Sequence, residues 1–518
     1  MGSSLGIIKA FFPTRSIHYL NTMVADSAIG TSNASAPSPK SHPVKLNTVR
    51  VRVPVEDPET RTQDFKEVIH SYTLEDAVLE AKRCIQCGKP YCVEACPITQ
   101  DAREYIRLIA ERKFDDSARA ILTENPLATT LCKVCYHYCE DACVVGKKGV
   151  PIAIRQLKRA GLELGKSDLR YVPAPLNGQR VAVVGGGPAG IMAAWELGLR
   201  GYEVTVYESQ VRLGGQVNTI PRYRMVGPEL EQDLDRFQDL PVHFVNTTRV
   251  GTDISTDSLI YGGFDAVLLT MGATEHRALG IPGEELPEVY PAFSLLRDVN
   301  EVYPPTLGRK ILVIGGGDVA MDAARSALRL SGGGEVTVVY RRGRREMPAD
   351  KDEVHEAEEE GIGFLFQTTP LRILGVEHVE GLELQQTELG PPDASGRRSP
   401  RLVPGSQRTI PCDTVIVAVG QRAATEGFPS ELELQFGSQG WPQGAGEDFM
   451  THVEGVFATG GRSVVYAMAA GTKAAEAIDA YLARKRGGSP APRPDPWGAP
   501  TPPAKLPRGY GRPTWHLG

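Results

Sequence analysis

Apolar residues recur at helical spacing in the first third of the chain and change to short apolar runs beyond residue 180. In residues 74–83, 102–112 and 115–123 they fall at i, i+3 and i+4, which predicts three short amphipathic helices. Residues 180–184 and 310–314 are near-continuous apolar runs, as in buried parallel strands. A polar segment with prolines, residues 165–179, separates the two patterns. We therefore expect a helical N-terminal domain followed by an α/β region.

The α/β region contains one pattern twice. Each apolar run is followed by three glycines, a helical segment and a second strand, at residues 203–207 and 335–340. Residues 264–273 and 413–421 match as strands that close each copy. The pattern predicts two Rossmann-like dinucleotide-binding domains, with residues 301–412 inserted between two parts of the other domain, 175–300 and 413–486.

The first glycine loop has the form G-x-G-x-x-G, with Gly185, Gly187 and Gly190 directly after a strand and Ala189 before the last glycine. Glycines there let the backbone approach a pyrophosphate at a helix N-terminus. Glu208 ends the second strand, where a carboxylate can accept hydrogen bonds from a ribose diol. The alternative is a packed strand–helix–strand unit without a ligand.

The second loop, with Gly315, Gly317, Asp318, Val319 and Ala320, has the related G-x-G-x-x-A form. After its second strand, arginines replace the acid, and guanidinium groups suit a 2′-phosphate that a carboxylate would repel. We therefore expect NADPH on this loop, held in part by Arg341 and Arg342, and FAD on the first loop; a solvated basic turn is the alternative. Further cofactor contacts are expected from Gly214, Gly215, Gln216, Gly272, Gly420, Gly460, Gly461 and Ser463.

Eight of the nine cysteines lie within 60 residues, in the region 63–170. The first four follow C-x2-C-x4-C-x3-C-P, which is close to the bacterial ferredoxin run, where the cysteine before proline ligates the other cluster. The spacing favours two [4Fe–4S] clusters over two zinc sites, which usually show repeated C-x-x-C pairs. Cys412 is expected to be a buried structural thiol. The eight candidate ligands are Cys84, Cys87, Cys92, Cys96, Cys132, Cys135, Cys139 and Cys143.

Composition narrows the function classes. The chain has 518 residues, 41% hydrophobic, and a net charge of −6, so no overall basic field draws it to nucleic acid. No apolar run reaches the roughly 18 residues that a membrane span needs. Residues 1–62 are expected to be a targeting or disordered extension, with a basic composition compatible with a cytoplasmic or mitochondrial-matrix protein. Residues 487–518 form a proline-rich tail.

Taken together, the motifs resemble the small subunit of bacterial NADPH-dependent glutamate synthase, the N-terminal portion of dihydropyrimidine dehydrogenase and the large subunit of bifurcating ferredoxin:NADP reductases. The resemblance runs from about residue 74 to 482. It is carried by CIQCGKPYCVEACP (84–97), CYHYCEDACVVG (135–146), VAVVGGGPAG (181–190), ILVIGGGDVAMDAA (311–324), VVYRRGRREMPA (338–349) and VVYAMAAGTKAAEA (464–477).

The resemblance implies an electron-transfer enzyme with FAD, NADPH and two [4Fe–4S] clusters. Its partner would be a protein acceptor or donor such as the glutamate synthase large subunit, a ferredoxin or a pyrimidine-reducing flavoprotein. Carried over by position, one cluster would bind the first four-cysteine set and the other would bind three cysteines of a second set. The implied sets are Cys84, Cys87, Cys92 and Cys143 for the first, and Cys96, Cys135 and Cys139 for the second.

Two positions depart from the family pattern. Lys158 stands where several members have a Glu or Gln ligand for the second cluster, so Cys132 or Gln156 is expected to complete it. The usual Gly-Asp before the last helix is missing, which leaves Gly460, Gly461 and the helix N-terminus for FAD. These departures keep a second class of function open, a zinc-bound docking module on a degenerate flavoprotein scaffold.

Overall fold

The computed structural model describes residues 49–166, 169–301, 303–392 and 398–498, apart from 424–427, 429–434, 437–441, 445 and 447. The first part is helical. Side-chain caps fix two of its helix starts: the Thr73 hydroxyl accepts from the Asp76 N–H at 3.2 Å, and Asp101 accepts from the Arg103 N–H at 3.1 Å. The helices are α1 (Pro58–Arg61), α2 (Leu74–Ala81), α3 (Tyr91–Glu94), α4 (Ala102–Ala110), α5 (Phe114–Glu124), α6 (Ala128–Val134), α7 (Tyr138–Asp141) and α8 (Ile154–Leu164).

The first dinucleotide-binding domain is a parallel sheet covered by helices. Its elements are β1 (Arg180–Val184), α9 (Pro188–Leu199), β2 (Glu203–Tyr207), α10 (Glu229–Leu234), β3 (Val242–Val245), α11 (Thr256–Ile260), β4 (Ala266–Leu269), β18 (Val456–Ala458) and α15 (Val464–Lys485). The strand order is β18-β4-β1-β2-β3. Helix α15 packs closely on α9, because a Cβ at Gly471 would lie 2.2 Å from the Ala189 carbonyl oxygen.

The second dinucleotide-binding domain repeats this arrangement, with strand order β6-β14-β7-β8-β9. Its elements are β6 (Val289–Pro291), α12 (Ala292–Asn300), β7 (Lys310–Ile314), α13 (Asp318–Leu330), β8 (Glu335–Tyr340), α14 (Lys351–Glu359), β9 (Gly363–Phe366) and β14 (Thr414–Val417). An antiparallel sheet extends from it, with β10 (Thr368–Leu374), β11 (Gly381–Pro392), β12 (Arg398–Leu402) and β13 (Arg408–Pro411). Two small antiparallel pairs complete the described strands: β5 (Glu275–His276) with β15 (Gln421–Arg422), and β16 (Gln435–Phe436) with β17 (Pro442–Gln443).

The boundaries of the inserted domain differ from the predicted 301–412. Strand β14 pairs with β7 and β6, so residues 413–420, which the prediction assigned to the FAD domain, belong to the second domain. Strand β6 and helix α12 belong to the second domain as well. An apolar run shows that a strand is buried but not which sheet it joins, and this caused the error. The chain enters the second domain after β5 and leaves it at β15, so this two-stranded ribbon links the domains.

The predicted extension, residues 1–62, ends too late. Residues 49–62 pack on the folded chain: the Val51 N–H donates to Glu80 Oε2 at 2.9 Å, and Arg61 Nε donates to Glu360 Oε1 at 2.9 Å. Val51 and Val53 also pack against the core of the helical domain, but these two apolar residues stand among charged residues and prolines, so the composition of the segment did not indicate packing. Part of the proline-rich tail also packs, since Trp497 stacks on Tyr171 at 5.2 Å. Residues 1–48 and 499–518 lie outside the described residues.

Within the described residues, no helix combines the length and the apolar character needed to cross a bilayer.

Candidate dinucleotide and cysteine sites

The first glycine loop has the shape that a pyrophosphate needs. Gly185 has φ of 108°, and a Cβ on it would lie 2.7 Å from the Thr270 carbonyl oxygen. A Cβ on Gly190 would lie 2.0 Å from the Gly185 oxygen, so only glycine lets α9 begin this close to the strand. A Cβ on Gly187 would meet nothing within 4 Å. The loop therefore leaves open space at the N-terminus of α9, next to the buried Ala189.

Glu208 lies at the end of β2, beside this loop, and its side chain is largely buried. One carboxylate oxygen accepts from the Gly186 N–H at 2.8 Å, and the other accepts from the Gln210 N–H at 2.8 Å. The oxygen bonded to Gln210 also accepts from the Ser209 hydroxyl at 3.2 Å, whereas the oxygen bonded to Gly186 keeps a second lone pair that can accept from a ribose hydroxyl.

The segment with Gly214, Gly215 and Gln216 covers the first loop. The Gly214 N–H donates to the Gly186 oxygen at 2.7 Å, and Gln216 Nε2 donates to Gln421 Oε1 at 2.9 Å. Gln216 Nε2 also donates to the Ala273 oxygen. This segment therefore joins the first loop to the ribbon between the domains. Gly272 and Gly420 occupy matching places after β4 and β14, with φ of 65° and 110°.

The last predicted flavin segment lies where α15 begins. Gly460 and Gly461 follow β18, and Ser463 is the N-cap residue of α15, whose 22 residues give a full helix dipole. The Ser463 hydroxyl oxygen is buried, close to the Tyr138 hydroxyl. A buried hydroxyl and free helix N–H groups fit an anionic or polar part of a dinucleotide.

The second glycine loop repeats the first. Gly315 has φ of 154°, a Cβ on Gly316 would lie 2.5 Å from the Tyr340 ring, and a Cβ on Gly317 would touch only Pro348 at 3.9 Å. Ala320 is fully buried against the strand, and Val319 is half-buried. The open space again lies at a helix N-terminus, that of α13.

Asp318, the first residue of α13, has both oxygens engaged. Its Oδ1 accepts from the Asp350 N–H at 2.8 Å, and its Oδ2 accepts from the Tyr136 hydroxyl of the helical domain. The carboxylate is thus held by donors on its two sides. This contact links the cysteine domain to the second nucleotide loop.

Arg341 and Arg342 follow β8, beside the second loop. Arg341 is exposed and Arg342 is half-buried, and the Arg342 Nε has no hydrogen-bond partner in the described part of the chain. A buried guanidinium nitrogen without a partner fits an anionic ligand such as a 2′-phosphate. The next arginine, Arg344, is already paired with Glu358.

Four cysteines surround one chamber of the helical domain, and we call them the first cysteine set. Ile85, Tyr91 and Arg103 complete much of its wall. Burial, together with the neighbouring Cys84 and Cys143, raises the pKa of the Cys92 thiol to about 12. Burial also raises the pKa of the Cys84 thiol to about 11. The set consists of Cys84, Cys87, Cys92 and Cys143.

A second cysteine set, Cys96, Cys135 and Cys139, lies nearer the first dinucleotide-binding domain. Burial raises the pKa of the Cys96 thiol, and the Cys135 thiol adds to this effect. Burial likewise raises the pKa of the Cys139 thiol. Lys158 opposes both shifts, so its ammonium lies beside this set, where the resemblance placed an oxygen ligand. Cys96 and Cys135 pack with Val464 and Tyr466 of α15.

Cys132, which is predicted to complete the second cluster, is buried in α6 and does not line the chamber of the first set. Its thiol donates to the Thr129 oxygen at 3.1 Å, and it faces a cavity shared with Gln156 and Tyr223. The C-x-x-C spacing spans the end of α6, where Cys135 is the C-cap residue with extended backbone. Cys412 is buried, as predicted for a structural thiol.

The cysteines of the described residues do not form a preformed zinc site. Tetrahedral zinc with Zn–S of about 2.3 Å brings its sulfurs to roughly 4 Å from one another. In the described part of the chain, the only three or more ligand-type side chains with atoms within 4.8 Å of one another are His137, Asp350 and Asp352. A cubane binds each thiolate at a different iron and holds the sulfurs farther apart. The first set therefore fits an iron–sulfur cluster better than zinc.

Buried aromatic residues connect the sites, and these are residues that the sequence reasoning missed. Tyr105 is fully buried between the sets, near enough to Cys92, Cys96 and Cys139 for their charges to act on it. Tyr138 packs edge-on against Tyr466 of α15 at 5.5 Å. Residues 136–138 lie between Cys135 and Cys139, and this position was a signal in the sequence that they adjoin a cysteine site. Nothing in the sequence distinguishes Tyr105 from other tyrosines.

Two protein families match the chain. Residues 61–167 match the family described as dihydropyrimidine dehydrogenase domain II, 4Fe–4S cluster, and residues 179–477 match pyridine nucleotide-disulphide oxidoreductase. The boundary between the matches falls in the polar junction between the helical and the α/β regions.

Several curated proteins are similar to the chain over most of its length. The chain is 31% identical to the glutamate synthase [NADPH] small chain of Halomonas elongata, over 82% of this chain and 96% of that protein. It is 36% identical to the NADP(+)-dependent formate dehydrogenase subunit beta of Moorella thermoacetica, over 76% of this chain and 60% of that protein. It is 39% identical to the NADPH-Fe(3+) oxidoreductase subunit beta of Geobacter sulfurreducens, over 66% of this chain and 52% of that protein. The chain thus spans a little over half the length of the last two relatives.

Solved structures show the same α/β architecture. Mycobacterium tuberculosis FprA in complex with NADPH superposes with a TM-score of 0.51 at 21% identity, over 62% of this chain and 88% of that one. This likeness concerns the fold of the two dinucleotide-binding domains.

Proposed function

Since the chain belongs to the pyridine nucleotide-disulphide oxidoreductase family, in the group that includes the small chains of NADPH-dependent glutamate synthase, we propose that it is an NADPH-oxidising electron-transfer subunit. The single observation that carries this proposal is the arrangement of four sites in one chain. Two open glycine loops and two cysteine sets occur in one chain, and residues 136–138, between two cysteines of the second set, contact both α15 and Asp318 of the second loop.

NADPH would bind the second loop. The N–H groups at the start of α13 would face its pyrophosphate, and Arg341 and Arg342 would hold the 2′-phosphate. The unpartnered Arg342 Nε supports this assignment. Opposite charge is the reason for preferring NADPH to NADH, whose ribose lacks the phosphate.

FAD would bind the first loop, with Glu208 at the adenosine ribose and the start of α15 near the other end. FAD, when bound, accepts a hydride from NADPH and releases electrons one at a time to iron–sulfur clusters. The chain itself supplies the open space above Gly187, the ribose acceptor Glu208 and the buried Ser463 hydroxyl.

Two [4Fe–4S] clusters would occupy the cysteine sets. The first set offers four thiols and the second offers three, with Lys158 beside it. Burial raises the pKa of the Cys84, Cys92, Cys96 and Cys139 thiols, so cluster binding, which needs thiolates, releases protons. Cys96 and Cys135 border the same apolar cluster as Val464 and Tyr466 of α15, and the first set borders the surface, which supports a route from flavin to second set to first set.

The terminal acceptor would lie on another polypeptide. Candidates are a glutamate synthase large subunit, a ferredoxin and a pyrimidine-reducing flavoprotein. The names of the relatives describe subunits, which supports a partner without identifying it. The zinc-bound docking module is disfavoured by the wide spacing of the sulfurs.

Two glycine variants test the proposal, because a side chain added at either position would enter the nucleotide space without striking the protein. Gly317→Leu should retain flavin and iron but lose NADPH oxidation with a dye acceptor. Gly187→Leu should lose flavin and retain iron. If both variants keep full activity, the loops are not the nucleotide sites. A purified wild-type chain that contains zinc and no flavin would refute the proposal entirely.

A further inference from the structure

We propose that the surface over the first cysteine set is the docking site for an acidic one-electron carrier protein. This rests on the proposed function, since it assumes that electrons reach the first cysteine set. We call this surface the cluster face and define it by Ile85, Lys89, Tyr91, Lys147 and Lys148.

At the cluster face, single side chains separate the chamber of the first cysteine set from solvent. Ile85 and Tyr91 line the chamber with the cysteines, yet they are 37% and 41% exposed to solvent. A partner that covers these two side chains would therefore bring its own redox centre close to the first cysteine set. Cys96 and Cys135 of the second set instead border the apolar cluster that includes Val464 and Tyr466 of α15.

Lysines surround this apolar centre. Lys89 Nζ lies 5.0 Å and Lys147 Nζ lies 5.5 Å from the centre of the Tyr91 ring, so both ammonium groups belong to the same face. Lys148 is exposed next to Lys147. Glu94, 3.7 Å from Lys89, is the acid that borders them. Among the described residues, no carboxylate forms an ion pair with Lys147 or Lys148.

Arg103 adds a positive charge inside the wall. Its Nη1 donates to the Cys87 oxygen at 3.1 Å, and its Nε lies 3.8 Å from the Asp101 carboxylate, which offsets part of this charge. The whole chain carries a net charge of −6, so the positive charge of this patch is opposite in sign to the net charge of the protein. An exposed apolar centre with a basic rim is complementary to an acidic rim around a partner's redox centre.

The electron balance fixes the stoichiometry. Each NADPH gives up two electrons and one hydride-derived proton to become NADP⁺, and two carrier molecules each accept one electron. Single-electron carriers must dock and leave twice per turnover, which favours a weak, electrostatically steered surface over a large apolar one.

The test compares two acceptors of opposite charge. Lys89→Glu combined with Lys147→Glu should lower the second-order rate of NADPH-driven reduction of an acidic ferredoxin at least tenfold at low salt. The difference should shrink as salt is added, because screening removes steering. Reduction of cytochrome c, a basic acceptor, should rise or stay level, and reduction of a small neutral dye should not change.

Lys310→Glu is the matched control, since Lys310 is exposed at the start of β7, at the edge of the sheet opposite the nucleotide loop. It should leave the ferredoxin rate unchanged. Iron content and dye reduction show that the double variant is folded. Equal ferredoxin rates for wild type and double variant, or equal losses with both protein acceptors, would overturn the docking site. Absence of dye reduction by wild type would instead refute the proposed function.

Discussion

At the scale of residues, the two glycine loops owe their shape to positions that admit no side chain. A Cβ on Gly185, Gly190 or Gly315 would collide with backbone. Cys132 lies inside α6, whereas Cys135 is the C-cap residue of that helix and has extended backbone. The C-x-x-C spacing alone does not show that a helix ends between the two cysteines.

The arginines after β8 should select the coenzyme. Replacing Arg342 with Ala should weaken NADPH binding by about 1.5–3 kcal/mol, because a charge-assisted phosphate contact is lost. NADH binding should hardly change. Arg344→Ala is the control, since Arg344 already pairs with Glu358. Binding titrations of both coenzymes give the answer, and equal affinity of wild type for the two would contradict it.

Cys132 should be dispensable for iron. Cys132→Ala should keep the full iron content of wild type, because the thiol already donates to the Thr129 oxygen within its own helix and lines a different cavity from the first set. Cys96→Ala, from the second set, should lose about half of the iron. Iron analysis and visible absorbance measure both. If the Cys132 variant lost a cluster, Cys132 would be a ligand of that cluster.

Tyr136 should position Asp318 for nucleotide binding. Its hydroxyl holds one carboxylate oxygen away from the phosphate space, while the Asp350 N–H holds the other. Tyr136→Phe should raise the KM for NADPH about threefold to tenfold without changing kcat for dye reduction, as expected for one lost hydrogen bond. Adding Asp318→Asn should reverse the effect by removing the negative charge. A change in kcat alone would contradict this role.

At the scale of elements, buried charges join segments that are far apart in sequence. Glu360, at the end of α14, accepts from Arg325 and Arg329 of α13 and from Arg61 of α1. Its side chain is fully buried. Sequence patterns could predict α13 and its apolar face, but not this network, because the arginines and glutamates look like solvent-exposed charges until the fold buries them.

Glu360→Gln should destabilise the fold. Three guanidinium groups would lose their shared carboxylate, which should lower the free energy of unfolding by roughly 3–5 kcal/mol. Glu358→Gln should cost about 1 kcal/mol or less, because the Glu358 pair with Arg344 is more exposed. Urea unfolding measures both variants, and similar losses would contradict the network.

The same group makes stability depend on pH. Burial favours the neutral form of Glu360, but hydrogen bonds from Arg329 and Arg325 outweigh it and lower its pKa to about 2. Its stabilising contribution is complete above the ordinary value of 4.5 and is lost as pH falls towards 2. Between about pH 5 and pH 3, wild type should lose more unfolding free energy than Glu360→Gln. If the unfolding free energies of the two proteins fell in parallel over this pH range, Glu360 would not be the group responsible.

The N-terminal boundary can be tested by truncation. A chain that starts at residue 49 should keep flavin, iron and stability, because the removed residues carry no cysteine or nucleotide loop. A chain that starts at residue 63 should lose on the order of 3 kcal/mol of unfolding free energy. It lacks the ion pair of Arg61 with Glu360 and the hydrogen bond from the Val51 N–H to Glu80. Thermal unfolding compares the two. Equal stability would return residues 49–62 to the extension.

At the scale of the whole molecule, duplication was visible in the sequence and the path between the copies was not. Both glycine loops, both closing strands and the insertion of one domain follow from the repeated pattern. The strands β6 and β14 were assigned to the wrong domain because strand pairing is a long-range property. The ribbon of β5 and β15 is too short for any pattern, yet it brings Gln421 to Gln216 at the first loop.

The central claim is that NADPH, and not NADH, sends electrons through the first loop to both cysteine sets. Anaerobic titration with NADPH, followed by visible absorbance and by electron paramagnetic resonance, tests it most directly. Wild type should show flavin bleaching and two iron–sulfur signals, and Cys92→Ala should show flavin bleaching and one. A colourless zinc-containing protein, or iron–sulfur signals that NADPH leaves unchanged, would contradict the account.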